Sequence, residues 1–536
     1  MSTYTISPKT PAPTREASRR RYIPYLVFTL CASLYLLPFM RLLLEETDEG
    51  TLIVGAVRIV HGQVFARDFF EVMGPGTFYW LAFFFKLLGV TFMATRICLF
   101  VTSLGTVILI YFLSRRVCRR YQALPCILVF ATYFGGTWRT WPMISHHTDS
   151  NFFALLAFTC MVLWEDSRKS SLLLAAGALA GATTCFLQPK GMLLLLAFLV
   201  WLWIQHRRRS VSLSVFGLII GSYFTVVSSM LLYFWSQGGL NDLLYANVVW
   251  PFRHYWATNT VPYAQGLILF YWNFYRNIWA IPTSGINWTD GIAAVLITPF
   301  LFVAVLPALV PVLGLWRRID IFRPKILLYW LCGWALLLSE LHQRNIFHVV
   351  FGSPLLIILC IHFLGEFRAK IGEIPLQILA ISGVCLASFN LLVVLTAHPV
   401  MTRVGSVAML KDDSVLTFLD DHIAPGTEIF AYPACATYYF LSDTVNPTRY
   451  SLLIYDYNTA SQFQEVIETL DQHKVKYVVW NTNLEVKGVD YSIFRAVKHM
   501  HPSDFIIEPY LESHYKIIWA KEGIRIMERK SDGDAK

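Results

Sequence analysis

Acidic side chains cluster directly after the first long apolar run of the sequence. Residues 46–76 carry five of them: Glu46, Asp48, Glu49, Asp68 and Glu71. A carboxylate beside a membrane is costly to keep charged unless it is paired, so acids at this place indicate ion pairs or reactive groups. A carboxylate that faces an accessible space is suited to take a proton from a substrate, as a general base does.

Asp48 and Glu49 are neighbours, and neighbouring residues of a helix point in different directions. We therefore expect one carboxylate to face the chemistry and the other to face a supporting partner. Thr47 is placed to cap a helix that begins at Asp48. The alternative is that both acids only complement the N-terminal dipole of that helix.

Basic side chains occur where membrane topology does not require them. Each lies at the end of an apolar run or in an aromatic-rich loop: Lys190, Arg253, His254, Arg276, His342, Arg344 and His348. Cations in such places hold anions or pair with acids, and a lipid-borne phosphate would satisfy several of them. Headgroup contacts or internal salt bridges are the alternative for any single residue.

The composition is that of a protein with many membrane spans. Hydrophobic residues make up 56% of the 536 residues and charged residues only 15%. A soluble domain contains about a quarter charged residues. The net charge of +9 comes from Lys and Arg clusters at the ends of apolar runs, so it does not indicate nucleic-acid binding. The ten cysteines include no CxxC motif, so zinc-finger and redox motifs have no support.

Placing the basic clusters in the cytoplasm fixes the direction of each apolar run. Residues 1–21 then form a cytoplasmic tail, and residues 22–398 form a transmembrane domain of about 11 helices with a first outer loop at 45–96. Two runs, 77–94 and 265–282, are predicted to lie in the outer interface without crossing.

The composition changes after Pro399, where charges are spread throughout and no spanning run occurs. GTEIFAYP and VKYVVWN are typical of strands, and FQEVIETLDQH of an amphipathic helix. Residues 399–536 are therefore predicted to be an extracytoplasmic α/β domain. The predicted fold class is a polytopic α-helical membrane protein with a C-terminal soluble α/β domain.

The order of these features resembles the membrane-embedded glycosyltransferases with the GT-C fold. The similar branch contains aminoarabinose transferases, protein O-mannosyltransferases and Rgt-type lipopolysaccharide enzymes. The resembling features are the acidic pair Asp48–Glu49 after the first span, the patch 68-DFFEVMGPG-76, Arg96 at the head of the next span, and the motifs 146-HHTDSNFF-153, 188-QPKG-191 and 342-HQRNIFHVVFGSP-354. The patch lacks the lysine that the family carries, having Met73 and Gly74 before Pro75.

The resemblance implies a sugar donor carried on polyprenyl phosphate, a lipid, glycan or protein acceptor, and inversion at the anomeric carbon. It implies that Asp48 is the catalytic base, with Glu49 beside it. The donor phosphate would be held by basic residues: Lys190, Arg344, His348, Arg253, Arg276 and Arg96. The acceptor or donor loops would contribute Asp68, Glu71, His146, His147 and Asp149.

No cofactor is expected from the sequence. His146 and His147 could hold a divalent metal, but adjacent histidines without an evident third ligand are weak evidence, and no DxD motif occurs before Asp532-Gly533-Asp534, close to the end of the sequence. Rival functions are a transporter or flippase of lipid-linked sugars, an O-antigen ligase or polymerase, and a non-catalytic membrane scaffold. The acids lie in outer loops and not at mid-membrane, which favours the enzyme over the transporter. The expected location is a bacterial inner membrane.

Overall fold

The computed structural model describes residues 15–43, 47–134, 143–255, 288–316, 323–341, 346–366, 373–455, 457–484 and 505–531. Some residues named in the sequence analysis lie outside these ranges: Glu46, His342, Arg344 and the aromatic segment 265–282 with Arg276.

Helices make up the first three quarters of the chain. We number them in order: α1 Arg15–Leu36, α2 Thr47–Val60, α3 Pro75–Leu88, α4 Phe92–Val117, α5 Leu124–Phe134, α6 His146–Ser167, α7 Ser170–Phe186, α8 Gln188–Arg207, α9 Ser214–Ser236, α10 Leu240–Leu244, α11 Trp288–Trp316, α12 Pro324–Glu340, α13 Ile346–Gly352, α14 Pro354–Gly365 and α15 Glu373–Leu395. Several begin with proline, whose fixed φ suits the first helical turn and whose missing N–H is not needed there.

Every apolar run that was expected to cross the membrane contains a helix. Within the described residues, six helices are long and apolar enough to span a bilayer: Tyr22–Arg41, Phe92–Val117, Gln188–Arg207, Ser214–Ser236, Val295–Trp316 and Glu373–Leu395. The chain is therefore an integral membrane protein, as predicted, while the count of about 11 crossings stays a prediction. Helix α3 has 14 residues, or about 21 Å, which is shorter than the hydrocarbon core and fits an interfacial position.

Ion pairs tie the helix ends together on the side predicted to be cytoplasmic. Asp166, at the end of α6, pairs with Arg116 of α4 and, at 2.8 Å, with Lys325 of α12. Arg120 pairs with Glu373 at the start of α15. The opposite ends of α4, α6 and α12 lie at the other side, where Lys190 at the start of α8 bonds to Ser150 and Asn151 of α6 and to Glu340 of α12.

The C-terminal α/β domain contains the predicted strands and helix. Its elements are β1 His398–Thr402, β2 Gly405–Met409, α16 Ser414–His422, β3 Ile429–Tyr432, α17 Thr437–Leu441, α18 Ala460–Gln472, β4 Tyr477–Asn481, α19 Ile507–His514, β5 Tyr515–Lys521 and β6 Ile524–Arg529. Strands β1 and β2 form an antiparallel hairpin, and the larger sheet has the order β3-β4-β6-β5. The pair β3–β4 is parallel, and α18 supplies the long connection that parallel strands need. The predicted fold class is confirmed.

The C-terminal domain packs directly on the first outer loop. Apolar residues of α2, α3 and the start of α4 share one buried cluster with residues of β3, α17 and β4. The Arg58 guanidinium donates hydrogen bonds to the carbonyls of Asn446 and Thr448, at 2.8 and 2.6 Å. At Gly50 an added Cβ would lie 2.4 Å from the hydroxyl oxygen of Thr437. Helix α2 is thus held between the transmembrane domain and the C-terminal domain.

Candidate active site

Glu49 and Arg96 form a buried ion pair that fixes the start of α2 against α4. The two guanidinium nitrogens of Arg96 donate to the two carboxylate oxygens of Glu49, at 2.6 and 3.0 Å. One of these oxygens also accepts the backbone N–H of Ile144 at 3.1 Å. Both side chains are almost completely buried, with 1% and 0% exposure. This bidentate geometry suits Arg and carboxylate, and it orients the acidic turn.

Asp48 differs from Glu49 although it is the next residue. Its side chain is exposed to solvent, yet protein surrounds it closely enough for burial to raise the pKa of the carboxyl. An electrostatic interaction with His147 partly opposes this effect and lowers the Asp48 pKa. As expected for adjacent helical residues, one acid faces a supporting partner and the other an accessible space.

Glu71 is a second acid close to Asp48. It is 2% exposed, and neither of its carboxylate oxygens accepts a hydrogen bond from the described part of the chain. Burial and, to a smaller extent, the negative charge of Asp48 together raise the pKa of Glu71 to about 8, although Arg58 acts in the opposite direction. Glu71 is therefore mainly protonated at neutral pH, where its carboxyl can donate a hydrogen bond.

Lys190 lies at the start of α8 in a fully buried polar network. Its ammonium pairs with Glu340 at 2.5 Å, and it donates to the Ser150 hydroxyl at 3.0 Å and the Asn151 side-chain oxygen at 2.8 Å. The other carboxylate oxygen of Glu340 lies 2.8 Å from Nδ1 of His147. Lys190 is thus linked to Asp48 through Glu340 and His147.

The histidines of two distant motifs meet at this network. The His147 ring lies edge-on to the His348 ring, with 4.8 Å between their centroids, and stacks on Phe351 at 4.9 Å. His146 lies on the other side of His147, with 3.9 Å between their rings. Asp149 is also in the first turn of α6 and is buried, with 3% exposure. The structure therefore brings His146, His147, Asp149, Lys190 and His348 to the same end of the helical bundle.

Other predicted residues lie elsewhere. Asp68 forms a surface ion pair with Arg67 at 2.8 Å and accepts the backbone N–H of Val64, which stabilises the turn after α2. Arg96 contacts Glu49 and is completely buried, so its charge faces an acid and not an open surface. Arg253 is exposed on a turn of π-helix.

Glu340 is the site residue that sequence reasoning missed. It is the last residue of α12, completely buried, and it joins Lys190 to His147. A single acid at the end of an otherwise apolar helix was a signal in the sequence, because an ionisable residue in a span needs a partner or a function. The predicted motif begins at His342, two residues after Glu340, so the candidate residues were taken from the loop that follows α12 and not from the helix itself.

Comparison with known proteins was made against family models, curated proteins and solved structures. Residues 73–233 match the family model described as dolichyl-phosphate-mannose-protein mannosyltransferase. The matched segment includes Arg96, His147, Asp149 and Lys190, and it begins after Asp48. No curated protein matches the chain.

Solved structures resemble the chain over almost its whole length. The crystal structure of ArnT from Cupriavidus metallidurans bound to undecaprenyl phosphate has a TM-score of 0.56 at 11% identity, covering 95% of this chain and 98% of that chain. The apo state of the same protein has a TM-score of 0.52, with the same identity and coverage. The oligosaccharyltransferase of Archaeoglobus fulgidus, tethered with an acceptor peptide, has a TM-score of 0.48 at 10% identity, covering 96% of this chain and 74% of that chain.

The family model and the ArnT structures confirm the resemblance expected from the sequence. The fold is that of the GT-C class, and the matched family consists of glycosyltransferases. The enzyme class expected from the sequence, a membrane-embedded glycosyltransferase, is thereby confirmed.

Proposed function

We propose that this glycosyltransferase of the GT-C fold class moves a sugar from a polyprenyl-phosphate carrier to an acceptor at the outer face of the membrane. The acceptor is a lipid, a glycan or a protein, and the reaction inverts the anomeric carbon. The observation that carries the proposal is the position of Asp48: it is accessible, surrounded by protein, and next to His147 in the polar network of Lys190 and Glu340.

Asp48 is assigned as the general base of this reaction. Its carboxylate takes the proton of the acceptor hydroxyl or amine while the acceptor atom bonds to the anomeric carbon. The bond between that carbon and the phosphate oxygen breaks at the same time, and the carrier phosphate leaves with the electron pair. A positioned base of this kind contributes about 10²- to 10⁴-fold to the rate.

Glu49 has a positioning role in this mechanism. Both of its oxygens are bonded to Arg96, and one also accepts the Ile144 N–H, so it does not face a substrate. Because Glu49 precedes Gly50 on α2 and follows Asp48, the ion pair fixes the direction of the Asp48 side chain. This assignment follows the expectation that one of the two adjacent acids faces the chemistry and the other faces a supporting partner.

Positive charge near the base favours the departing phosphate. Lys190 shares its charge with Glu340 and can neutralise a phosphate only in part. Arg253 is exposed and free to approach a lipid headgroup at the interface. Arg276 and Arg344 stay predicted donor contacts. These cations stabilise the negative charge that grows on the leaving group.

The polyprenyl carrier is proposed by analogy with ArnT, which was solved bound to undecaprenyl phosphate. The topology of the basic clusters puts the site and the C-terminal domain on the extracytoplasmic side of a bacterial inner membrane. A lipid carrier suits this side because the sugar must reach it through the bilayer.

The test is the Asp48→Asn variant in proteoliposomes supplied with radiolabelled undecaprenyl-phosphate sugars. We expect transfer or hydrolysis of the labelled sugar to fall by about 10²-fold or more. Binding of undecaprenyl phosphate should change little, because the carboxamide keeps the size of the side chain. The matched control is Asp412→Asn, which makes the same chemical change at a side chain that is 88% exposed in the C-terminal domain. Wild-type turnover in Asp48→Asn would remove the proposed base.

A further inference from the structure

We infer that His147, Glu340 and His348 form a binding site for a divalent transition-metal ion, with zinc as the ion that fits their chemistry. The three residues come from the start of α6, the end of α12 and α13, so only the folded chain brings them together. One ligand atom of each lies within 4.8 Å of the others.

The ligand set is of the type that zinc prefers. Zinc binds imidazole nitrogen at about 2.0–2.1 Å and carboxylate oxygen at about 2.0–2.2 Å, and two histidines with one glutamate make up a common three-ligand zinc site. Three protein ligands leave a fourth position open for water or for an anionic oxygen. Magnesium and calcium prefer sites made of oxygen ligands, so the two imidazoles select against them.

The geometry requires only small side-chain movements. Ligand atoms around a tetrahedral zinc are roughly 3.3 Å apart, given bonds of about 2.0 Å. The observed separation between His147 Nδ1 and the Glu340 oxygen is 2.8 Å, and the widest of the three is at most 4.8 Å. These separations differ from the tetrahedral value by at most about 1.5 Å.

The surroundings of the three residues are those of a bound ion. All three are buried, with 8%, 0% and 8% exposure. Lys190 holds the second oxygen of Glu340 at 2.5 Å and thereby orients the carboxylate, and Phe351 stacks on the His147 ring. Partners outside the ligands that fix their orientation are a general feature of metal sites.

The fold supplies the ligands that are missing near His147 in the sequence. His146 and His147 are adjacent and have no third ligand nearby in the chain, so they are only weak evidence for a metal site. The fold supplies Glu340 and His348 from almost 200 residues further along. His146 is not needed for the site.

Metal binding is tested on the purified full-length protein in detergent, without any sugar donor or acceptor. Its outcome is therefore independent of the proposed function. The protein is stripped with chelator, incubated with ZnCl₂ or CoCl₂, desalted, and analysed for metal by mass spectrometry. We expect about one tightly held ion per chain, and visible absorption bands of four- or five-coordinate Co²⁺ in the cobalt form. Zinc should also raise the thermal unfolding temperature, because it binds the folded state.

The variants His348→Gln and His147→Gln should lose the retained metal, the cobalt bands and the zinc-dependent rise in unfolding temperature. Glutamine keeps much of the volume and the polarity of the ring, and gel filtration shows whether each variant is folded. The matched control is His362→Gln in α14, a half-buried histidine outside the cluster, which should behave like the wild type. A wild-type protein that retains no zinc or cobalt overturns the inference. Metal retained equally by all four proteins also overturns it, because the ion then lies elsewhere.

Discussion

Replacing Glu49 by Gln tests whether the buried ion pair positions the proposed base. Glutamine has the size of glutamate, but it carries one acceptor oxygen and an NH₂ group that only donates. Glu49 accepts three hydrogen bonds, two from Arg96 and one from the Ile144 N–H. In the variant, the NH₂ group must face at least one of these donors, and the Arg96 charge stays buried at 0% exposure without its counterion.

The expected loss of stability follows from this geometry. Removing one partner of a buried ion pair costs about 3–5 kcal/mol, because the remaining charge is left uncompensated. We measure thermal inactivation midpoints at one scan rate in one detergent, since large membrane proteins commonly unfold irreversibly. Sugar transfer should also fall, because the Asp48 side chain loses the support of its neighbour.

A control and a double variant complete the measurement. Glu528→Gln breaks a surface pair with Lys476 and should cost under about 1 kcal/mol. Arg96→Met alone should destabilise strongly, whereas Glu49→Gln combined with Arg96→Met should cost less than the sum of the two. If Glu49→Gln were no more destabilising than Glu528→Gln, the pair would not hold the acidic turn in place, and the positioning role would be refuted.

Three further predictions concern the same loop. Gly50→Ala should destabilise by about 1–3 kcal/mol in thermal unfolding, because the added Cβ meets Thr437 at 2.4 Å, whereas Gly217→Ala, with no atom within 4 Å, should not. The pKa of Glu71 is raised from 4.5 to about 8, so its contribution to stability falls as the pH rises between these values, and Glu71→Gln should remove that slope from unfolding measured at pH 5 to 9. Arg58→Ala should loosen the C-terminal domain, seen as faster amide exchange in α17, because two carbonyls lose a charged donor.

The sequence predicted the elements of the fold well because hydropathy is a local signal. Each apolar run that was expected to cross the membrane contains a helix, and the two predicted strands and the helix of the C-terminal domain occur as β3, β4 and α18. The contact between the C-terminal domain and α2 could not be predicted in this way. It depends on Gly50 fitting against Thr437 and on Arg58 reaching Asn446, and these residues lie almost 400 positions apart.

In the candidate site, too, the contacts between residues far apart in the chain could not be predicted from the sequence. The motifs predicted that residues from distant parts of the chain come together. In the structure, His147, Asp149, Lys190 and His348 meet at one end of the helical bundle. Their partners depend on how the helices pack, and Glu340 was therefore missed. The adjacent acids show the difference clearly: helical geometry predicts that they diverge, but only packing decides that Glu49 meets Arg96 and Asp48 stays accessible.

The packing of α2 also changes how the C-terminal domain should be regarded. A separate outer module would have its own core and would meet the membrane domain through a polar interface. Here one apolar cluster runs from Leu52 of α2 through Phe78 of α3 to Phe430 of β3 and Trp480 of β4. Helix α2 carries both Asp48 and Glu49. The domain that packs on this helix therefore also fixes the position of the proposed base. Removing the C-terminal domain would expose the apolar side of α2. The acidic turn would then be held only by the Glu49–Arg96 ion pair. The C-terminal domain is therefore part of the structure that positions the proposed catalytic residue.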